Sequence, residues 1–262
     1  FIRFIRWRFL LNNIGINPNI LIDAHIWIGS YAFTTTPGKT GEAIRCLLLK
    51  EKCKLDYKFT FTALVLERIT DAIAVITILI INLPFLLRWD TSLFFSDKLI
   101  IVILFLLLLG SVIIYKKIWI NESIKSIAKR FLSHDQYQQS QESIKILKKL
   151  LSPKIFSIST LIASIAWSLE GVSLYLILKG LGVSISLGGA IIAHTLAGLI
   201  GALTLIPGGL AATEGSTIGL LSIQGIANSI ATPATLLIRL KTLWFATCLG
   251  ICTLLIPIRE IK

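Results

Sequence analysis

The sequence is built from apolar runs of about twenty residues, the length that a helix needs to cross the hydrocarbon of a bilayer. Such runs occupy 59–83, 99–115, 155–178 and 232–256. A soluble domain would show shorter apolar segments and about 25% charged residues, whereas 15% of this chain is charged. We therefore predict an all-α fold, a polytopic transmembrane helix bundle.

The net charge of +12 is concentrated between the apolar runs, in 1–8, 39–58, 116–154 and 259–262. Basic loops of membrane proteins stay on the cytoplasmic side. The charge therefore indicates orientation, and we expect no nucleic-acid partner. The predicted location is the plasma (inner) membrane of a bacterium or archaeon, multi-pass, with the basic loops and the C-terminus in the cytoplasm.

Two proline-glycine pairs, Pro37-Gly38 and Pro207-Gly208, each end an apolar segment and precede a shorter one. The chain is basic on both sides of the first break, although 20–36 is long enough to enter the bilayer deeply. We therefore predict two re-entrant helical hairpins, the second over 187–221. Irregular backbone within a membrane needs protein or water around it, so both tips should face an interior cavity.

A glutamate follows each break, and the spacing from Glu42 to Glu67 is repeated from Glu214 to Arg239. Since the two copies run in opposite directions, the pattern indicates an inverted-topology repeat, which in transporters marks the binding site. We predict a single integral membrane domain over 1–262. Its half-repeats cover about 1–115 and 155–262, the cytoplasmic linker is 116–154, and a further span is expected before residue 1.

Three charges, Glu67, Arg68 and Asp71, lie within the apolar run 59–83. Each costs about 3 kcal/mol to insert unpaired, so they should face the interior and find partners. Two interpretations remain open. The charges line a cavity that binds a headgroup or a coupling ion, or they form a buried ion-pair network that holds the bundle together.

The hairpin tips offer groups for an anion. Backbone N–H groups at a helix start near Gly38 attract phosphate, and Gly208 and Gly209 provide the same from the other side. Lys39 adds a point charge, and Arg45 lies one turn after Glu42.

Other charged and aromatic residues have simpler interpretations. Arg239 is an inward partner for Glu214 or for a phosphate, and Lys241 extends to the membrane surface. Glu170 is either interfacial or functional. The remaining residues are read as surface anchors or packing groups: Arg3, Arg6, Arg8, Trp7, Trp27, Trp89, Trp167 and Trp244.

The chain offers little support for an enzyme. The four cysteines form no C-x-x-C pair and the histidines no ligand cluster. The carboxylates lack a Ser-His-Asp arrangement or a nucleotide-binding loop. We expect no cofactor, no metal and no catalytic residue.

Three segments, TPGKTGEAIRCLLL (36–49), LERITDAIAV (66–75) and IPGGLAATEGSTIGLL (206–221), resemble the motifs of one family. It is the flippase-like family that includes the transmembrane domain of lysylphosphatidylglycerol synthase. RWRFLL and WSLEG (167–171) are also similar to it. The matched motif positions are Pro37, Gly38, Gly41, Glu42, Arg45, Glu67, Arg68, Asp71, Pro207, Gly208, Gly209, Glu214 and Gly215.

The resemblance implies a protein that moves an anionic or aminoacylated phospholipid, or a polyisoprenoid-linked lipid, between leaflets. The sequence departs from the family in two ways: it contains no soluble aminoacyl-transferase domain, so the synthase activity does not carry over, and we expect it to begin after the family's usual first span. Ala211 also stands near a common glycine. The expected substrate-binding residues are Gly38, Lys39, Gly41, Glu42, Arg45, Glu67, Arg68, Asp71, Gly208, Gly209, Glu214 and Arg239.

Two alternatives to a flippase stay open. One is a membrane enzyme acting on a lipid headgroup, and the other is a non-catalytic subunit of a lipid- or envelope-modifying complex that presents 116–154 to a partner. The expected partners are membrane lipids with anionic headgroups, with a homo-oligomer or an envelope-biosynthesis protein as further possibilities.

Overall fold

The computed structural model describes residues 1–36, 41–82 and 134–256, and within these ranges the chain forms helices and turns and no strand. The all-α prediction is confirmed for this part of the chain. The predicted span 99–115, the first part of the linker, the first hairpin tip with Gly38 and Lys39, and the basic tail 259–262 lie outside the described residues.

Ten α-helices are described. They are α1 (Ile2–Asn13), α2 (Ile20–Gly29), α3 (Ile44–Cys53), α4 (Tyr57–Ile81), α5 (His134–Leu150), α6 (Pro153–Gly180), α7 (Leu187–Leu203), α8 (Ala212–Ile223), α9 (Asn228–Arg239) and α10 (Phe245–Leu255). A 3₁₀ turn, Ser30–Phe33, extends α2, and a π-helical turn, Leu240–Trp244, joins α9 to α10.

Polar residues begin several of these helices. The side chains of Asn19, Asp56 and Ser186 accept from backbone N–H groups at the starts of α2, α4 and α7, as N-caps do. Pro153 stands at the start of α6, where its missing N–H costs nothing. These capping residues and Pro153 explain why the helices begin close to where the apolar runs begin.

Two helices of the described residues, Pro153–Gly180 and Asn228–Leu255, have the length and apolar composition to cross a membrane. Their outer faces are apolar: Leu161, Leu169 and Leu176 of α6 are exposed. Apolar faces of this extent are unusual in a water-soluble monomer and suit contact with lipid.

The two predicted half-repeats interlock. Helix α1 packs against α6, and α10 packs against α2 and the 3₁₀ turn. Gly250 allows the second contact, because a Cβ there would lie 2.8 Å from the carbonyl carbon of Tyr31. Close approach through small residues is the usual way in which membrane helices associate. The inverted relation of the halves and their exact limits remain predictions.

The described part of the linker packs against the first half. Helix α5 contacts α4, and Lys58 at the start of α4 donates to Glu142 of α5. The amphipathic pattern predicted for 144–151 fits this docking, since Leu150 and Leu151 are buried.

Candidate functional site

A cavity of about 720 Å³ lies between the two halves. Its wall is formed by α1, α3 and α4 on one side and by α6, α7, α8 and α9 on the other. Cavities of 300–1,000 Å³ are typical of small-molecule sites. Nine charged residues of the described ranges line this cavity: Arg3, Glu42, Arg45, Glu67, Arg68, Asp71, Glu170, Arg239 and Lys241.

Four arginines and four carboxylates form what we call the charged cluster. Its members are Arg3, Arg6, Arg45, Arg68, Glu42, Glu67, Asp71 and Glu170. They come from α1, α3, α4, α6 and the turn before α3, so the cluster is assembled from distant parts of the chain. Its formal charges balance.

Glu67 lies at the buried end of the charged cluster, with 2% of its side chain exposed. Oε1 accepts from Arg6 Nη2 at 3.4 Å, and Oε2 accepts from Arg45 Nη2. The Arg45 guanidinium also stacks 4.0 Å from the ring centroid of Trp7, a cation–π contact. A buried carboxylate held by two arginines keeps its charge without bulk water.

Asp71 lies one turn further along α4 and links three helices, α1, α4 and α6. Its Oδ1 accepts from Arg6 Nη1 at 2.7 Å and from Trp167 Nε1 at 3.4 Å, and its Oδ2 forms an ion pair with Arg68 Nη2 at 3.1 Å. Arg3 Nη1 lies 3.6 Å from Oδ1. The contact with Trp167 reaches across the cavity from the first half to the second.

Arg68 is the arginine of the charged cluster that is most accessible from the cavity. Its side chain is 37% exposed, against 20% for Arg3, 3% for Arg45 and 1% for Arg6. Glu42 lies 3.6 Å away as a further partner. Because guanidinium carries five donors, Arg68 can meet an anion in the cavity while it remains paired with Asp71.

A second group lies on the opposite wall. Arg239 Nε donates to Glu214 Oε1 at 2.6 Å, and its Nη2 donates to the carbonyl of Gly208 at 2.7 Å. The pairing of Arg239 with Glu214 is one of the two alternatives that the sequence left open. Glu214 lies behind the wall, since Arg239 lines the cavity and Glu214 does not.

The backbone between α7 and α8 is strained. Leu205, Gly208, Gly209 and Ala211 all have positive φ, and two of them carry a Cβ. Ala211 has φ 63° and ψ −44°, and the N–H of Ala212 donates to the Leu210 carbonyl at 2.8 Å. Ala211 is therefore the central residue of a γ-turn of the rare, strained kind. Strain of this sort concentrates at functional sites.

The expected binding residues fall into three groups. Gly41 donates its N–H to Thr36 Oγ1 at 2.6 Å and lies outside the wall, as Glu214 does. Gly38 and Lys39 are not among the described residues. The structure brings together the following at the cavity: Glu42, Arg45, Glu67, Arg68, Asp71, Gly208, Gly209 and Arg239. Their role in binding remains a prediction.

Several interpretations of single residues need correction. Arg6, assigned to a surface anchor, is fully buried, because Glu67 and Asp71 neutralise it. Lys241, interpreted as extending to the membrane surface, is exposed, lines the cavity and donates to Ser173. Trp167 is more than a packing group, since its indole N–H reaches Asp71.

The sequence also gave no reason to select Arg3 or His194. Arg3 Nη2 donates to Glu170 Oε1 at 2.9 Å, and His194 Nε2 lies 3.2 Å from Glu170 Oε2. The sequence did contain one partial indication, because Arg3 and Arg6 are three residues apart and therefore lie on the same face of a helix. The partners are far away in sequence, so a local pattern does not reveal them.

Comparison with known proteins gives a consistent result. The family model described as the lysylphosphatidylglycerol synthase TM region matches residues 1–250. A UPF0104 membrane protein of Methanothermobacter thermautotrophicus is 29% identical and covers 82% of this chain and 68% of its own length. A UPF0104 membrane protein of Pyrococcus horikoshii is 23% identical, covering 94% of this chain and 80% of its own length. No solved structure matches the chain.

Proposed function

Because the chain belongs to the lysylphosphatidylglycerol synthase TM region family of membrane proteins, we propose that it moves a lipid between the leaflets of the plasma membrane. The relatives named above are archaeal, and we place the protein in an archaeal or bacterial cell. The proposed cargo is an anionic or aminoacylated phospholipid or a polyisoprenoid-linked lipid, which share a phosphate.

The observation that carries this proposal is the cavity with its charged wall inside a bundle with an apolar outer surface. A lipid headgroup crosses a bilayer slowly because its charges must leave water. A cavity of about 720 Å³ lined by Arg68, Arg239, Glu42 and Asp71 offers charged groups in place of water. The acyl or isoprenoid chains remain in the bilayer.

We assign the two arginines different positions on the path. Arg68 meets the phosphate on the side of the first half, where the guanidinium is most accessible. Arg239 meets it on the side of the second half, beside the connection between α7 and α8, where it donates to the Gly208 carbonyl. Guanidinium groups suit phosphate because their N–H donors match two of its oxygens at once.

The movement that we propose is a rocking of one half against the other, as in transporters with inverted repeats. The two re-entrant hairpins and the cytoplasmic position of the basic loops belong to this proposal. The lack of an enzymatic activity, the absence of a cofactor and a homo-oligomeric or envelope-complex partner stay predictions.

Lipid exchange in proteoliposomes tests the function. Purified protein is reconstituted with fluorescent anionic, aminoacylated and polyisoprenyl-phosphate lipids, and leaflet exchange is followed by quenching from outside. We expect exchange of one lipid class, and a loss of about tenfold or more in Arg68→Ala, since tenfold corresponds to about 1.4 kcal/mol in the barrier. Lys179→Ala, an exposed lysine at the end of α6, serves as the matched control.

Arg68→Ala is a better probe than Glu67→Gln, because Glu67 neutralises two buried arginines and its replacement endangers the fold. Equal exchange by Arg68→Ala and the unmodified protein would count against this site. No exchange of any lipid by folded protein would reject the function, and a chemically altered probe lipid would support the membrane enzyme instead.

A further inference from the structure

Arg3 and Glu170 of the charged cluster form a triad with His194 in the cavity wall, on α1, α6 and α7. Glu170 Oε1 accepts from Arg3 Nη2 at 2.9 Å, and Oε2 lies 3.2 Å from His194 Nε2. We propose that this triad is a proton-binding site, in which uptake of a proton by His194 weakens the bond between Arg3 and Glu170.

The chemistry of the contact defines where the proton goes. An ionised carboxylate only accepts, so neutral His194 holds its single proton on Nε2 and donates it to Glu170. The second proton then enters at Nδ1, from water in the cavity, and leaves to water by the same atom. Imidazole is the side chain whose charge ordinarily changes between about pH 5 and 8.

The other carboxylates on the helices packed against α7 have arginine partners. On α4, Asp71 is held by Arg6 and Arg68, and Glu67 by Arg6 and Arg45. On α8, Glu214 is held by Arg239. Arginine stays protonated at all physiological pH values, so those pairs do not change charge. Among the described carboxylates of the cavity region, Glu170 is the one that contacts an imidazole ring, that of His194.

Protonation affects the junction between the halves. Arg3 lies in the first half and Glu170 in the second, and Arg3 Nη1 also lies 3.6 Å from Asp71 of the first half. When His194 becomes positive, two cations share one carboxylate, and the attraction between Arg3 and Glu170 falls. Arg3 then turns toward Asp71 or toward an anion in the cavity.

This site rests on the proposed function, because the movement that it controls is the one that carries the headgroup across. Proton uptake weakens the ion pair between Arg3 of α1 and Glu170 of α6, so the two halves separate more readily. Exchange should therefore become faster as the pH falls.

The first test measures lipid exchange at about pH 8 and about pH 5.5 on both sides of the membrane, the window in which imidazole titrates. We expect the unmodified protein to accelerate about tenfold on acidification, equivalent to about 1.4 kcal/mol. His194→Gln keeps a donor for Glu170 but cannot titrate, so its rate should remain at the high-pH value throughout. His25→Gln is the matched control, since His25 of α2 lies outside the cavity wall, and it should keep the acceleration.

The second test does not depend on transport. Histidines labelled with ¹⁵N are followed by NMR in nanodiscs, and the His194 signal is the one missing from His194→Gln. It should shift between about pH 8 and about pH 5.5, and the indole N–H of Trp167, whose ring centroid lies 6.4 Å from that of His194, should shift with it. The Trp167 response should disappear in His194→Gln.

The outcomes separate the two proposals. A pH-independent exchange rate, an acceleration that survives in His194→Gln, or a His194 signal that does not move would each overturn the proton site. Titration of His194 with the Trp167 response, but without exchange of any lipid, would support the proton site and reject the flippase.

Discussion

Glu67 and Arg68 are neighbours in sequence but differ in what they do for the protein. Glu67 has 2% of its side chain exposed and is enclosed by arginines, whereas 37% of the Arg68 side chain is exposed. Breaking a buried ion pair leaves an uncompensated charge, and the loss is about 3–5 kcal/mol. Stability should therefore depend on the buried residues and activity on the accessible one.

Replacement of Arg45 tests this division. Arg45→Ala leaves Glu67 with two ion-pair partners among the described residues, Arg6 Nη2 at 3.4 Å and Arg68 Nη2 at 3.8 Å. We expect a loss of about 3–5 kcal/mol in unfolding free energy, measured by thermal unfolding in detergent. Arg68→Ala in the same assay should lose about 1 kcal/mol or less. Equal losses would show that exposure does not separate the two arginines.

The sequence predicts the part of the charged cluster that is local and misses the part that is not. Glu67, Arg68 and Asp71 stand out because an unpaired charge within an apolar run is costly. Arg6 and His194 do not stand out, because an arginine in a basic surface segment and a single histidine have ordinary explanations. Their partners, Asp71 and Glu170, are supplied by other helices.

The element with the least regular backbone is the connection between α7 and α8. The break is predictable from Pro207 and the two glycines, but the γ-turn at Ala211 is not, because alanine gives no sign of positive φ. Arg239 bonds this connection to α9, at the last residue before the π-helical turn. π-Helical turns are often found at functional sites, and here both irregular segments meet at one guanidinium.

Ala211→Gly should relieve the strain of the γ-turn. Glycine adopts positive φ freely, so we expect a gain of about 1 kcal/mol in unfolding free energy, measured by thermal unfolding. Ala212→Gly is the control, because Ala212 is the first residue of α8 and a glycine in a helix loses up to about 1 kcal/mol. A loss of stability in both variants would contradict the assignment of strain to Ala211.

At the scale of the whole molecule, the cavity is shared by two interlocked halves. Both predicted half-repeats supply wall residues, and α1 and α10 each pack on the opposite half. The cavity therefore depends on how the halves are placed and should change access when they rock.

Cysteine labelling tests whether access alternates. Ala72 is exposed and lines the cavity, and it carries no charge. The variant Ala72→Cys is made in a background in which the four native cysteines are replaced by alanine. It reports access to the cavity without removing a charged group. We expect membrane-impermeant thiol reagents to label it from both sides of the membrane. Lys179→Cys, at an exposed helix end, should be labelled from one side. One-sided labelling of position 72 would contradict alternating access.

The pairing of Arg6 with Asp71 has a consequence for how the protein is made. The two residues are 65 positions apart, so the ribosome has released α1 long before α4 leaves the translocon. During that interval Arg6 has water or lipid phosphates as partners, because a guanidinium does not enter hydrocarbon alone. Helix α1 must therefore wait at the membrane interface, and its burial becomes a late event in biogenesis.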